Sequence, residues 1–309
     1  LYVGASLGNY GFPDGHPLSI DRQGAFWREA QRLRLDARAS VCAPVSAERA
    51  LIERFHSAGY VDRVIALSKR GSGYLDYGDT PAIAGMYETA SAVVGSALDA
   101  ATRIMRGEAT CSLQPIGGLH HARRDRAAGF CVFNDLGVLI ETLRAEYAIE
   151  RIAYVDIDVH HGDGVFYEFE YDPNLIVVDI HQDGNTLYPG TGHTYETGQG
   201  AAVGSKLNLP LAPGAGDAAF MRAWQVGEEF LQRQRPAFYI LQCGADGLAG
   251  DPLANLRLTG AAHAHVAQRL LALSAAHAQG RLMAFGGGGY DLNNLAQAWC
   301  AVLEQLAAG

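Results

Sequence analysis

Short apolar runs alternate along this chain with longer segments of helical period. Runs of strand length stand at TCSLQPI (110–116), RIAYVDI (151–157), LIVVDI (175–180), FYILQC (238–243) and RLMAF (281–285). Between them, residues 82–105, 133–147, 217–234 and 258–278 repeat apolar side chains at the spacing of one helix face. Alternating β and α segments predict an α/β fold, a central, mostly parallel sheet with helices on both faces. Apart from a glycine- and tyrosine-containing loop at KRGSGYLDYGDTP (69–81), no linker-like change of composition and no internal repeat interrupts the pattern, so residues 1–309 read as a single domain.

Polar residues gather where the runs end. PIGGLHH, YVDIDVHHGDG, LQCGADG and AFGGGGYD each pass from apolar residues through glycine to histidine, aspartate or tyrosine. Open parallel sheets bind ligands outside the carboxyl ends of their strands, so these residues are expected along one edge. In an extended chain Asp156, Asp158 and His160 share one face, and Val155, Ile157 and Val159 the other. Ionised carboxylates in such a setting need cationic partners, and carboxylate with imidazole is a donor set for a divalent metal. Asp246 is the natural third ligand, with an Asx turn before Gly247 as the competing reading. Zinc is the default ion, and ferrous iron, cobalt or manganese also suit the oxygen-rich set.

His120 and His121 each require an acceptor for the second ring nitrogen, and Asp156 and Asp163 are the carboxylates left over from metal binding. One or both histidines then serve as acid or base on an attacking water. The glycines before Tyr290 either form a flexible turn or let the backbone approach a ligand and present the phenol to an oxyanion. His161 is expected to be a hydrogen-bonding neighbour rather than a ligand. His263, His265 and His277 are expected on a solvated helix face, and His16 and His56 to be structural.

Bulk properties narrow the partners. A net charge of −9 without any basic run argues against nucleic acid and anionic membrane and favours a cationic ligand. No apolar stretch is long enough to span a membrane, and no basic-then-apolar leader opens the sequence. Five cysteines without close pairing fit reduced thiols in the cytoplasm. The 24 basic residues include only two lysines, Lys69 and Lys206.

Together, HPLSIDR (16–22), GDTPAIAGMYETA (78–90), GGLHHARRDRAAGFCVFND (117–135), VDIDVHHGDGVFYEF (155–169), HQDGNTLYPGTG (181–192), LQCGADGLAGDPLANLRLT (241–259) and GGGGYDLNNLAQAW (286–299) resemble the histone deacetylase superfamily, in order and over nearly the whole chain. The bacterial acetoin-utilisation-type and class I enzymes look most similar. The resemblance implies the arginase/deacetylase fold with an eight-stranded, mostly parallel sheet. It implies zinc on Asp158, His160 and Asp246, tandem histidines His120 and His121 paired with Asp156 and Asp163, and Tyr290 as the electrophilic tyrosine. Gly129, Phe130, Tyr188, Leu253 and Gly288 would meet the substrate. A structural potassium ion would take the carbonyls of Asp156, Asp158 and His160 with the segment at Asp179 and Ile180, where Asp179 replaces an expected hydroxyl. A second cation would sit near Phe169, Asp172 and Leu175.

The activity so implied is hydrolysis of an N-acetyl or other acyl amide, on a lysine side chain or a small acetylated amine. Three alternatives share parts of the pattern: an acetylpolyamine amidohydrolase, a binuclear manganese ureohydrolase, and a non-catalytic acyl-lysine binding module. The sequence leaves acyl-chain preference and oligomeric state open.

Overall fold

The computed structural model describes residues 1–13 and 15–308. Six strands, β1 (Cys111–Gln114), β2 (Ile152–Asp156), β3 (Leu175–Asp179), β4 (Lys206–Asn208), β5 (Phe238–Gln242) and β6 (Leu282–Phe285), form one parallel sheet in the order β1-β6-β5-β2-β3-β4. Every residue of β2, β3, β5 and β6 is buried, which requires cover on both faces.

The helices supply that cover: α1 (Ala5–Gly8), α2 (Arg22–Arg32), α3 (Arg49–Ile52), α4 (Ala58–Arg70), α5 (Met86–Met105), α6 (Asp135–Tyr147), α7 (Asp163–Glu168), α8 (Asp217–Gln234), α9 (Gly260–His277) and α10 (Leu292–Leu306). α8, α9 and α10 pack side by side with α2 against α10, and α5 packs on α6. The helix expected from residue 82 starts at Met86, because Gly85 takes a left-handed conformation there.

The structure corrects the expected eight strands to six among the described residues. Beyond β1 the edge continues only as single contacts: Tyr2 N donates to Leu113 O at 3.1 Å, and Tyr2 bridges Cys42. Isolated bridges of this kind do not extend into a ladder.

The order in which strands are laid down reverses between β2 and β5. From β2 the chain moves outward to β3 and β4, and from β5 it moves the other way to β6. Such a switch point opens a crevice at the carboxyl ends of the two strands. Asp156 and Gln242, the last residues of β2 and β5, stand in register there.

A candidate metal centre and active site

The chain leaves the sheet immediately after Asp156. Asp158 N turns back to Asp156 Oδ1 at 3.0 Å, and His160 N to Asp158 Oδ1 at 3.0 Å. Asp156, Asp158 and His160 therefore do not share the face of an extended strand, which corrects the sequence expectation. Local carboxylate-to-backbone bonds won over strand geometry and curled the loop. The curl brings one donor atom each from Asp158, His160 and Asp246, all buried, within 4.8 Å of one another. His160 Nδ1 lies 3.1 Å from Asp158 Oδ1 and 3.2 Å from Asp246 Oδ2.

Glycine makes this convergence possible. A Cβ on Gly244 would stand 2.0 Å from Asp158 Oδ2, and one on Gly288 2.0 Å from Asp246 Oδ2. Gly288 N and Gln242 Nε2 each donate to Asp158 Oδ2 at 2.8 Å, and Val159 N donates to Asp246 Oδ1 at 3.0 Å. Burial, then the Asp158 charge, pushes the Asp246 carboxyl up, while His120 and His160 overcome burial to hold Asp158 well down. Two buried carboxylates and an imidazole aimed between them fit a dication, which removes the penalty on the second negative charge.

The tandem histidines adjoin this cluster. His120 Nδ1 donates to Asp156 Oδ2 at 2.8 Å, and His121 Nδ1 to Asp163 Oδ1 at 2.6 Å. Asp156 also accepts from the Tyr154 hydroxyl, and Asp163 from Arg123 at 2.8 Å. Burial would lower His120, but the Asp156 and Asp158 charges outweigh it and raise the imidazole to about 9. Burial and the neighbouring His120 hold His121 down at about 4, although Asp163 pulls the other way. Burial, followed by repulsion from Asp246 and Asp158, keeps the Tyr290 phenol protonated well above its usual range.

Tyr290 closes a chamber of about 20 Å³ lined also by His120, His121, Asp158, His160 and Gly288, space for about one water molecule. An outer cavity of about 240 Å³ leads to it past Gly129, Phe130, Tyr188, Leu253, Leu187 and Asp79. The Tyr188 ring stands edge-on to His121 at 5.1 Å, and the Phe130 ring edge-on to Tyr290 at 5.9 Å. Phe130 is left-handed (φ 69°), held by Tyr10 on its carbonyl and Thr80 on its amide. A larger cavity, about 330 Å³, opens beside Tyr2, Cys42 and Cys111 at the start of β1, away from these groups.

Several supporting residues carried little sequence signal. Arg22, buried, donates to Gly289 O and Gly287 O and so holds the glycine loop before Tyr290; Asp251 accepts from Tyr290 N at 2.9 Å. Gln242 was the more legible one, a polar residue ending a fully apolar run. His161 donates or accepts at Thr191 Oγ1, 2.8 Å away, and is not among the convergent ligands. His56 is buried and accepts from Asn134 N. His16 packs between Phe12 and Phe130. His263 is corrected: it lies on the buried face of α9 with Val266 and Leu270 and reaches Gly244 O at 2.8 Å, beneath the loop that carries Asp246.

The two expected monovalent cation sites differ. At the inner one, the Asp158, His160 and Ile180 carbonyls accept no hydrogen bond among the described residues, which suits a cation; the Asp156 carbonyl accepts from Ile180 N. The Asp179 carboxylate is engaged by His181 at 2.6 Å and Gly162 N at 2.9 Å. At the outer one the residues do not fit a free ion. Phe169 O accepts from Asp172 N, and the Lys206 ammonium takes Asp172 O and Leu175 O.

Comparison with known proteins agrees with this geometry. The sequence profile of the family described as "Histone deacetylase domain" matches residues 16–306. The acetoin utilization protein AcuC of Bacillus subtilis (strain 168) is 33% identical, over 96% of this chain and 79% of its own length. Histone deacetylase 6 of Arabidopsis thaliana is 33% identical, over 96% of this chain but 63% of its own length. Histone deacetylase RPD3 of Saccharomyces cerevisiae is 32% identical, over 97% and 69%. The solved structure of the HDA15 HD domain superposes with a TM-score of 0.90 at 27% identity, covering 99% of this chain and 87% of that one.

Proposed function

The chain belongs to the histone deacetylase family, and from that premise we propose that residues 1–309 form a metal-dependent deacetylase acting on the acylated side chain of lysine. The observation that carries the reading is a pair of imidazoles, Nε2 to Nε2 at 3.0 Å and each held by its own carboxylate, beside three convergent metal donors. A divalent ion on Asp158, His160 and Asp246, which we assign as zinc, would supply Lewis acidity toward the amide carbonyl and toward water.

The remaining work falls to side chains. His121, neutral at physiological pH, accepts the proton that water loses as its oxygen bonds to the amide carbon. The Tyr290 hydroxyl donates to the carbonyl oxygen as negative charge develops there. As the C–N bond breaks, the histidine pair returns a proton to the departing nitrogen, leaving acetate and a free amine. Asp156 and Asp163 fix which ring nitrogen of each histidine faces the reaction.

Phe130, Tyr188 and Leu253 suit the methylene stem of lysine, and the Asp79 carboxylate at the mouth favours a cationic or N–H-bearing substrate. A potassium ion is assigned to the inner carbonyl site. Five free thiols suit a reducing compartment, so the cytoplasm is the proposed location; no described helix is long and apolar enough to cross a membrane.

The deciding experiment measures acetate release from acetyl-lysine peptides, longer acyl-lysine peptides and acetylated polyamines, with and without chelator. The small inner chamber predicts that acetyl-lysine turns over at least about tenfold faster than chains of six or more carbons. Faster release from acetylpolyamines would transfer the assignment to small amines. A metal-replete protein that releases acetate from none of them would refute it.

A further inference from the structure

Lys206 is one of two lysines in a chain with 24 basic residues, and only 2% of it is exposed. It opens β4 opposite Val177 of β3. Its ammonium donates to Asp172 O at 2.8 Å, Leu175 O at 2.5 Å and Ser205 Oγ at 3.1 Å. All three partners are neutral oxygens, and the Asp172 carboxylate is paired instead with Arg144 at 2.5 Å. Main-chain carbonyls closing around a dehydrated charge are how proteins hold a bare monovalent cation. An ammonium, compact and with three donors, matches this cage, whereas a planar guanidinium does not. That accounts for a lysine here in a chain whose basic residues are arginine at every other position but Lys69.

The cage lies at the far turn of the segment that runs out through α7 and back through β3. α7 begins at Asp163, which holds His121, and β3 ends at Asp179, which holds Gly162 N. Lys206 ties down the turn between them.

We propose that the Lys206 ammonium is a tethered replacement for a monovalent cation, so that the turn from Phe169 to Leu175 takes up no free ion. The proposal is independent of the substrate and of the reaction assigned above. Lys206→Ala would leave a hole walled by the same oxygens, and Lys206→Met would fill it with an apolar stem. Thermal unfolding is compared in potassium chloride and in tetramethylammonium chloride at equal ionic strength. In tetramethylammonium, Lys206→Ala is expected to melt at least about 5 °C below the parent protein, from the loss of buried charged hydrogen bonds. Potassium should restore at least half of that deficit to Lys206→Ala and none of it to Lys206→Met. Potassium on the inner site affects all three proteins alike, so the quantity read is the difference between them. A Lys206→Ala protein as stable as the parent in tetramethylammonium, or a deficit that potassium leaves unchanged, overturns the proposal. Should Lys206→Ala not fold, the parent protein decides through anomalous diffraction with thallium(I). No thallium is expected in contact with the Asp172 and Leu175 carbonyls, and thallium there with Lys206 displaced overturns it.

Discussion

The rings of His120 and His121 meet Nε2 to Nε2 at 3.0 Å, with the far ring nitrogen of one held by Asp156 and that of the other by Asp163. Asp156 and Asp158 together raise His120 to about 9 against burial. Burial and the His120 charge hold His121 at about 4 despite Asp163. Between those limits one imidazole is a proton donor and the other an acceptor, the condition for acid and base work at one carbon.

The pH profile of kcat/KM should therefore be flat through neutrality and fall on the basic side as His120 loses its proton, which the Asp156 charge holds up even when a metal takes the Asp158 charge. Asp156→Asn removes the largest cause raising His120, so its basic limb should move to lower pH. An unmoved limb in that variant would separate His120 from the basic titration.

Tyr290 is protonated at every working pH, since burial and the Asp246 and Asp158 charges oppose phenolate formation. Tyr290→Phe should lower kcat at least about tenfold, the usual size of one oxyanion donor, while metal content measured by emission spectrometry stays unchanged. Full turnover in the variant would remove Tyr290 from the reaction.

Gly244→Ala tests the metal donors without touching a ligand. Its Cβ would overlap Asp158 Oδ2, and its own backbone is fixed on both sides, Gly244 N by Gln242 and Gly244 O by His263. The carboxylate must move, so metal affinity should fall by at least about tenfold, on the scale seen when ligand-orienting contacts are lost. Replete metal at full affinity would mean that the loop relaxes around the extra methyl.

The strand ends were legible because burial leaves few reasons for a charge there. Asp158, His160 and Asp246, and the Asp156 and Asp163 partners of the histidines, stood out as polar residues closing apolar runs, and the fold brings them together. What sequence could not carry was the curl after Asp156, since an alternating pattern looks the same in a strand and in successive carboxylate turns. Arg22 was invisible for another reason: it acts on carbonyls more than 260 residues away. His263 was misplaced because an alanine-rich helix has no clear apolar stripe to say which face is buried. Strand number failed at the sheet edge, where Tyr2 and Cys42 each make only one bridge.

His56 supplies a stability prediction away from the metal site. It is 2% exposed, its Nε2 accepts from Asn134 N at 2.9 Å, and burial pushes its pKa down to about 3. The folded protein thus keeps His56 neutral where the unfolded chain, with an ordinary value near 6.5, binds a proton. This contribution is present in full above the unfolded value and is lost as pH falls from there toward the folded one. His56→Gln, which lacks the titration, should be less stable than the parent at pH 7. Its deficit in urea unfolding should shrink by roughly 2 kcal/mol between pH 7 and pH 5, the integral of one proton over that window. A deficit that stays constant across the window would show that His56 takes up its proton without unfolding, and that its burial imposes no acid sensitivity on the fold.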